Sequence, residues 1–176
     1  LAKYSAIKKA FLITAQDDTR GSYLEFGVFT GSTFNHAMKE NKKVEKLGYK
    51  NMDCEFVGFD SFNGFGHIKK EDEHPHFIDE IFSVNEEKVL KNIAKQAKGQ
   101  KYRIVKGFYE NTIKNKTTKD LKIDKAKIIM IDCDLKEPTA LALAFSKPSF
   151  QEGTIILFDD YVFFKGSKEK GEYGAF

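Results

Sequence analysis

Residues 22–33 read SYLEFGVFTGST, and the fold turns on how that stretch is parsed. Aromatic and aliphatic side chains crowd residues 22–28 into a short window bounded by glycine, the pattern of a strand. Gly31-Ser32-Thr33 then opens a helix over about 32–46, with Ser32 or Thr33 as its cap and Gly48 as its stop. A strand that runs through a glycine turn into a helix is the first half of a βαβ unit.

The same alternation continues outward. Glu55 to Asp60 (EFVGFD) is a second strand, followed by a polar and aromatic loop over 61–83 with no periodicity. Val89, Leu90, Ile93, Ala94 and Ala97 recur at helical spacing and predict an amphipathic helix over about 85–98, with Gly99 at its C-cap. Tyr102 to Val105 is a third strand. Residues 127–132 (KIIMID) and 153–158 (GTIILF) are nearly all apolar, as strands buried on both faces should be. Between them Thr139 to Phe145 is helical, with Pro138 in its first turn. Strands alternating with helices imply right-handed crossovers. The fold class is therefore α/β: a doubly wound, mostly parallel sheet with helices on both faces.

Bulk properties narrow the class further. One domain fits 176 residues, and 41% hydrophobic with 31% charged residues marks a globular chain rather than a disordered one. The net charge of +3 comes from lysines spread along the chain, not from the concentrated basic stripe a nucleic-acid partner requires. No apolar run approaches the roughly 18 residues of a membrane span, and no leader pattern opens the chain. Cys54 and Cys133 are not a spaced pair, which agrees with a reducing cytoplasm and suggests neither a disulfide nor a zinc site. The chain starts at Leu1 and stops at Phe176 within what reads as a continuing segment, so a single domain incomplete at both ends is expected.

In a parallel sheet, ligands bind beyond the carboxyl ends of the strands, and that is where the chemistry-bearing residues fall. Glu25 precedes the Gly27-to-Gly31 turn. Its spacing is not the G-x-G-x-x-G that holds a pyrophosphate, and an acid there suits a positively charged ligand end, such as the ammonium or sulfonium of S-adenosylmethionine (SAM). A plain tight turn is the competing reading. Asp60 ends the second strand, where a carboxylate can accept ribose hydroxyls or simply cap the turn with Ser61. Asp132 and Asp134 project to one side if the fourth strand continues through them. Asp159-Asp160 ends the fifth. If those strands are neighbours, up to four carboxylates meet at one rim, and a hard cation such as Mg²⁺ would relieve their repulsion; independent turn aspartates are the alternative. His74-Pro75-His76 sits in an acidic stretch without further ligands at diagnostic spacing and reads as a polar loop. His36 and His67 carry no signal. Phe62, Phe65, Phe77 and Phe82 are candidates for the core or for a lid over the substrate, at about 61–83.

Five segments together, YLEFGVFTGST (23–33), FVGFDSFNGF (56–65), VKGFYENTI (105–113), IIMIDCDLKEPTALAL (128–143) and GTIILFDDY (153–161), resemble in order and spacing the macrocin O-methyltransferase-like family, which includes sugar O-methyltransferases of antibiotic pathways. The resemblance implies a Rossmann-like class I methyltransferase fold lacking its last strands. Glu25, Gly27, Val28 and Gly31, with Phe29 and Ser32 in the same turn, would surround the methionine end of SAM. Asp60 and Ser61 would hold its ribose, and Gly107 and Phe108 would lie near its adenine. Asp132, Asp159 and Asp160 match the positions of a magnesium site, and Asp134 that of a general base, so Asp132 and Asp134 are the catalytic candidates. Cys133 stands where the family often has a small residue or glycine.

The implied activity is methylation of a hydroxyl on a small acceptor, with neither nucleic acid nor membrane as partner; the oligomeric state is left open, a homo-oligomer included. A nicotinamide oxidoreductase would need the pyrophosphate loop that is missing here. A SAM-binding module without catalysis would leave the four acids at the strand ends without a purpose; a methyltransferase of another acceptor class needs no metal, so metal dependence discriminates it.

Overall fold

The computed structural model describes residues 2–49, 53–66, 68–75, 77 and 82–176; His67, His76 and part of the expected lid (78–81) lie outside them. Helix α1 spans Ala2–Gln16, strand β1 Ser22–Phe26, α2 Ser32–Lys46, β2 Phe56–Asp60, α3 Glu86–Ala97 and β3 Tyr102–Lys106. One turn of helix, α4 (Tyr109–Thr112), leads to β4 (Ala126–Ile131), α5 (Lys136–Ser146) and β5 (Ile155–Phe158); α6 (Phe163–Gly166) and α7 (Gly171–Ala175) close the chain. The strands form one sheet in the order β3-β2-β1-β4-β5, with every pairing parallel.

Alternation along the strands builds two cores. Tyr23, Phe56, Ile128 and Met130 point to one face, where Ile7 and Phe11 of α1, Phe34 and Met38 of α2 and Ile93 of α3 cover them. Leu24, Phe26, Val57, Phe59, Ile129 and Ile131 point to the other, against Ala142 and Phe145 of α5. The period of two fixes this division, since neighbours along a strand face opposite ways. Phe26 and Phe59, paired across β1 and β2, stack with ring centroids 4.6 Å apart. At about 2–3 kcal/mol per buried phenyl or aliphatic side chain, these two layers supply most of the driving force for folding.

Element ends differ from the sequence reading in instructive ways. Strand β1 stops at Phe26 instead of 28, because Gly27 takes a φ of 94° and swings the backbone off the extended path. Neither Ser32 nor Thr33 caps α2. The cap position is Gly31, at φ 75° with no side-chain hydrogen bond, and it is crowded by Ile93 and Val89 of α3. Helix α3 is capped by Asn85, which accepts the Lys88 N–H, and it ends on a left-handed Lys98 before Gly99. Strand β5 begins at Ile155, since Gly153 at φ 83° is still turning. Helix α1 has no counterpart in the sequence reading. Its buried stripe is narrow, Ile7, Ala10, Phe11 and Thr14, and lysines surround it.

Candidate active site

All strands are parallel, so their carboxyl ends open on one side. The chain order reverses between β1 and β4, at the centre of the sheet, which makes a crevice there. A cavity of about 400 Å³ occupies it. The backbones meet closely at this point: a Cβ on Gly27 would lie 2.0 Å from the carbonyl oxygen of Asp132, so no other residue fits.

Of the residues expected to hold the cofactor, Gly27, Phe29, Asp60, Ser61, Gly107 and Phe108 line the cavity. Glu25, Val28, Gly31 and Ser32 do not. Glu25 is fully buried and accepts a short hydrogen bond from the Tyr23 hydroxyl. Its Oε1 has no hydrogen-bond partner among the described residues. Burial pushes its carboxyl well above the usual range, against the opposing Tyr23 bond. It is therefore a buried acid behind the cavity wall.

Asp60 brackets two loops. Its Oδ2 accepts the Phe29 N–H at 2.7 Å and its Oδ1 the Phe62 N–H at 2.6 Å. Phe29 and Phe62 both have positive φ, 48° and 58°, a conformation the bracket helps to hold. Each oxygen keeps a lone pair for a ligand donor, so the capping and ligand-binding readings of Asp60 are compatible. Burial raises its pKa, partly offset by those N–H groups. Ser61 is tied into the same turn, donating to the Gly64 carbonyl and accepting from the Asn63 N–H.

Strands β4 and β5 are neighbours, and Asp132, Asp134, Asp159 and Asp160 all reach the cavity. Strand alternation does not arrange them, however. β4 ends at Ile131, and Asp134 lies in a tight three-residue turn, at φ 62° with the Leu135 N–H donated to the Cys133 carbonyl at 2.6 Å. A non-glycine residue held there costs about 1–3 kcal/mol, a strain commonly stored at functional sites. One oxygen each from Asp132, Asp159 and Asp160 lies within 4.8 Å of the others.

Burial raises Asp132 to about 7; Lys3 opposes that shift, while Asp159 and Asp160 add to it. Burial and a hydrogen bond with Asp160 push Asp134 up to about 9. Three carboxylates converging in this way suit a hard divalent cation, and they already attract one cation, the ammonium of Lys3. Burial works against the Lys3 charge, but Asp132 and Asp159 outweigh it and hold Lys3 above its ordinary value.

Several residues of the site escape sequence reading. Lys3 pairs with Asp132 across 129 positions. Glu172 of α7, fully buried, accepts the Cys133 N–H at 3.2 Å with one oxygen and the Asp160 N–H at 3.0 Å with the other. Tyr109, Lys69, Asp72, Glu110 and Glu137 also line the cavity. No local signal marks any of them. Phe65, Phe77 and Phe82 from the expected lid stand in the cavity wall, while Phe62 is core. His74 packs on Phe77, Phe163 and Phe164. The Cys133 thiol is buried against the Phe26 carbonyl and the Tyr109 hydroxyl, and burial pushes it up.

A parallel sheet in this order, with its crevice between the first and fourth strands, defines a Rossmann-like domain. The chain belongs to the macrocin O-methyltransferase family, whose description, "Macrocin-O-methyltransferase (TylF)", matches residues 2–172. Among solved structures it resembles the calicheamicin methyltransferase CalS11, with a TM-score of 0.70 and 21% identity over 91% of this chain and 64% of that one. It resembles the O-methyltransferase NovP at 0.69 and 20%, over 94% and 67%. The SAH-bound methyltransferase PaMTH1 of Podospora anserina follows at 0.50 and 16%, over 88% and 52%. The chain thus spans about two thirds of the length of CalS11 and NovP and about half that of PaMTH1. No curated protein sequence matches it. Among the described residues, no helix is long and apolar enough to cross a membrane.

Proposed function

We propose that this domain methylates a hydroxyl oxygen of a small acceptor, a sugar or polyhydroxylated natural product, using SAM and a divalent cation such as Mg²⁺. The observation that carries the reading is one cavity with two chemical ends. A carboxylate bracket, Asp60, stands at the end of β2, where it would accept the hydroxyls of a nucleoside, and three converging acids with a fourth beside them stand at the rim. The family supports the reading, as does CalS11, whose apo structure is described as that of a TDP-rhamnose 3'-O-methyltransferase.

Gly27, Phe29, Asp60, Ser61, Gly107 and Phe108 would contact the cofactor, with Glu25, Val28, Gly31 and Ser32 supporting that wall from behind. SAM, when bound, supplies an electrophilic methyl carried on a sulfonium. Asp132, Asp159 and Asp160 would hold the cation, which supplies acidification of a bound hydroxyl. Asp134 takes the hydroxyl proton as general base. Its burial and its bond to Asp160 favour the protonated form, so positive charge at the rim is what readies it to accept a proton. The aromatic wall of Phe65, Phe77 and Phe82 excludes water and holds the apolar face of the acceptor.

Calorimetric titration of SAM, and separately of Mg²⁺, into the wild type, Asp60→Ala and Asp159→Ala tests both ends. SAM binding should weaken in Asp60→Ala alone, and the Mg²⁺ heat should vanish in Asp159→Ala alone. Absence of SAM binding to the wild type sinks the methyltransferase reading. SAM binding without any metal heat leaves methyl transfer and removes the cation.

A further inference from the structure

The acid rim holds a cation that belongs to the chain itself. Lys3, in the first turn of α1, places Nζ 2.7 Å from Asp132 Oδ2 and still closer to Asp159 Oδ2. Asp132 and Asp159 are two of the three acids whose oxygens converge. A magnesium ion takes its oxygen donors at about 2.0–2.1 Å in near-octahedral geometry. An ammonium lodged between the same two carboxylates uses lone pairs and space such an ion needs.

Nor is the Lys3 position a matter of a loose end of helix. Ile7, Ala10 and Phe11 bury α1 against the sheet. One residue beyond Lys3, the Tyr4 ring lies 4.6 Å from that of His36, whose Nε2 is 3.1 Å from the Tyr4 carbonyl. The first turn is therefore anchored to α2, and Lys3 is delivered to the rim from a fixed base. Its side chain, about a quarter exposed, has an outlet to the cavity it lines.

We propose that Lys3 is a resident competitor for the metal site. Its ammonium pairs with both Asp132 and Asp159, and a divalent cation loads by displacing it into the cavity. Cation affinity is then set on α1 as much as on the rim, and weakly held or scarce cations are turned away. This rests on the cation reading of the rim given above.

The test is titration of Mn²⁺ alone, by calorimetry and by the electron paramagnetic resonance of the free ion, into the wild type, Lys3→Met, Lys3→Arg and Asp159→Asn. Circular dichroism of each variant establishes that it is folded. Lys3→Met should bind Mn²⁺ about tenfold more tightly, the order expected for removing one unit charge from a partly buried site. Lys3→Arg, which keeps the charge, should stay near the wild type, and Asp159→Asn should bind weakly. Equal or weaker binding by Lys3→Met, with Asp159→Asn still defective, overturns the competition and leaves the metal site standing. If neither the wild type nor Lys3→Met takes up Mn²⁺, the cation reading falls and the competition with it.

Discussion

Asp134 is held in a backbone conformation that favours glycine, and its carboxyl is turned into the cavity at a cost of about 1–3 kcal/mol. Asparagine tolerates the same conformation better than most residues, so Asp134→Asn should fold while losing the ability to take a proton. We expect kcat for methyl transfer to fall about 10²–10⁴-fold with KM for SAM nearly unchanged, measured by initial rates on any accepted hydroxyl compound. An unchanged kcat would remove Asp134 from the chemistry. At this scale the sequence is informative where candidate residues sit at strand ends. Gly27, Asp60 and the four rim aspartates stand next to apolar strands, and the structure brings them to one cavity. Lys3 is opaque for the opposite reason. One lysine among many on an amphipathic helix acquires meaning only from Asp132, 129 positions away. Glu25 shows the converse: its residue type is plain in the sequence, but its burial is seen only in the packing.

At the scale of elements, the loop after β4 and the loop after β5 carry the whole rim, and α7 ties them together. Glu172 accepts one backbone N–H from each. Glu172→Ala leaves the buried Cys133 N–H and the part-buried Asp160 N–H unpaired and should cost about 1–3 kcal/mol of stability, read from urea unfolding. It should also weaken Mg²⁺ binding by letting Asp132 and Asp160 drift apart. Glu172→Gln keeps one acceptor oxygen and should recover part of both losses. A variant that loses stability but keeps full Mg²⁺ affinity would show that the tie does not position the rim. The strands, α2, α3 and α5 were legible because their apolar periodicity is long enough to read. The single-turn helices α4, α6 and α7 have too few residues for a period. Helix α1 has a period, but its stripe includes Thr14 and is diluted by lysines.

Taken whole, the molecule keeps several protons that an unfolded chain would release. Burial leads the rise in Asp132 to about 7, Glu172 to about 8 and Asp134 to about 9. Carboxyls in the unfolded chain titrate near 4. The folded state therefore binds more protons between those limits, and its stability falls as pH rises. The contribution is complete below about pH 4 and is lost as pH climbs through 7 to 9. The thermal midpoint in EDTA should drop between pH 6 and 9.5, and Mg²⁺ should flatten the drop by favouring the ionised acids. Scanning fluorimetry across that range checks both, and a flat profile in EDTA contradicts the protonated rim. The sheet that produces this was readable in outline from five alternating units. Its strand order, which brings β1 beside β4 and so builds the crevice, follows from the crossovers only after the two faces are packed.

The contact of Gly27 with the carbonyl of Asp132 has a consequence for how this scaffold can diversify. With no room for even one methyl group between them, the turn after β1 and the acid rim are a single mechanical part. A mutation that reshapes one disturbs the other, so both are closed to gradual change. The phenylalanines Phe65, Phe77 and Phe82 are held by ring packing instead, Phe82 on Phe29 and Phe77 on Phe163. Drift in acceptor choice, or its redirection by a designer, has its open route there, where side chains can be exchanged while the reacting machinery stays as it is.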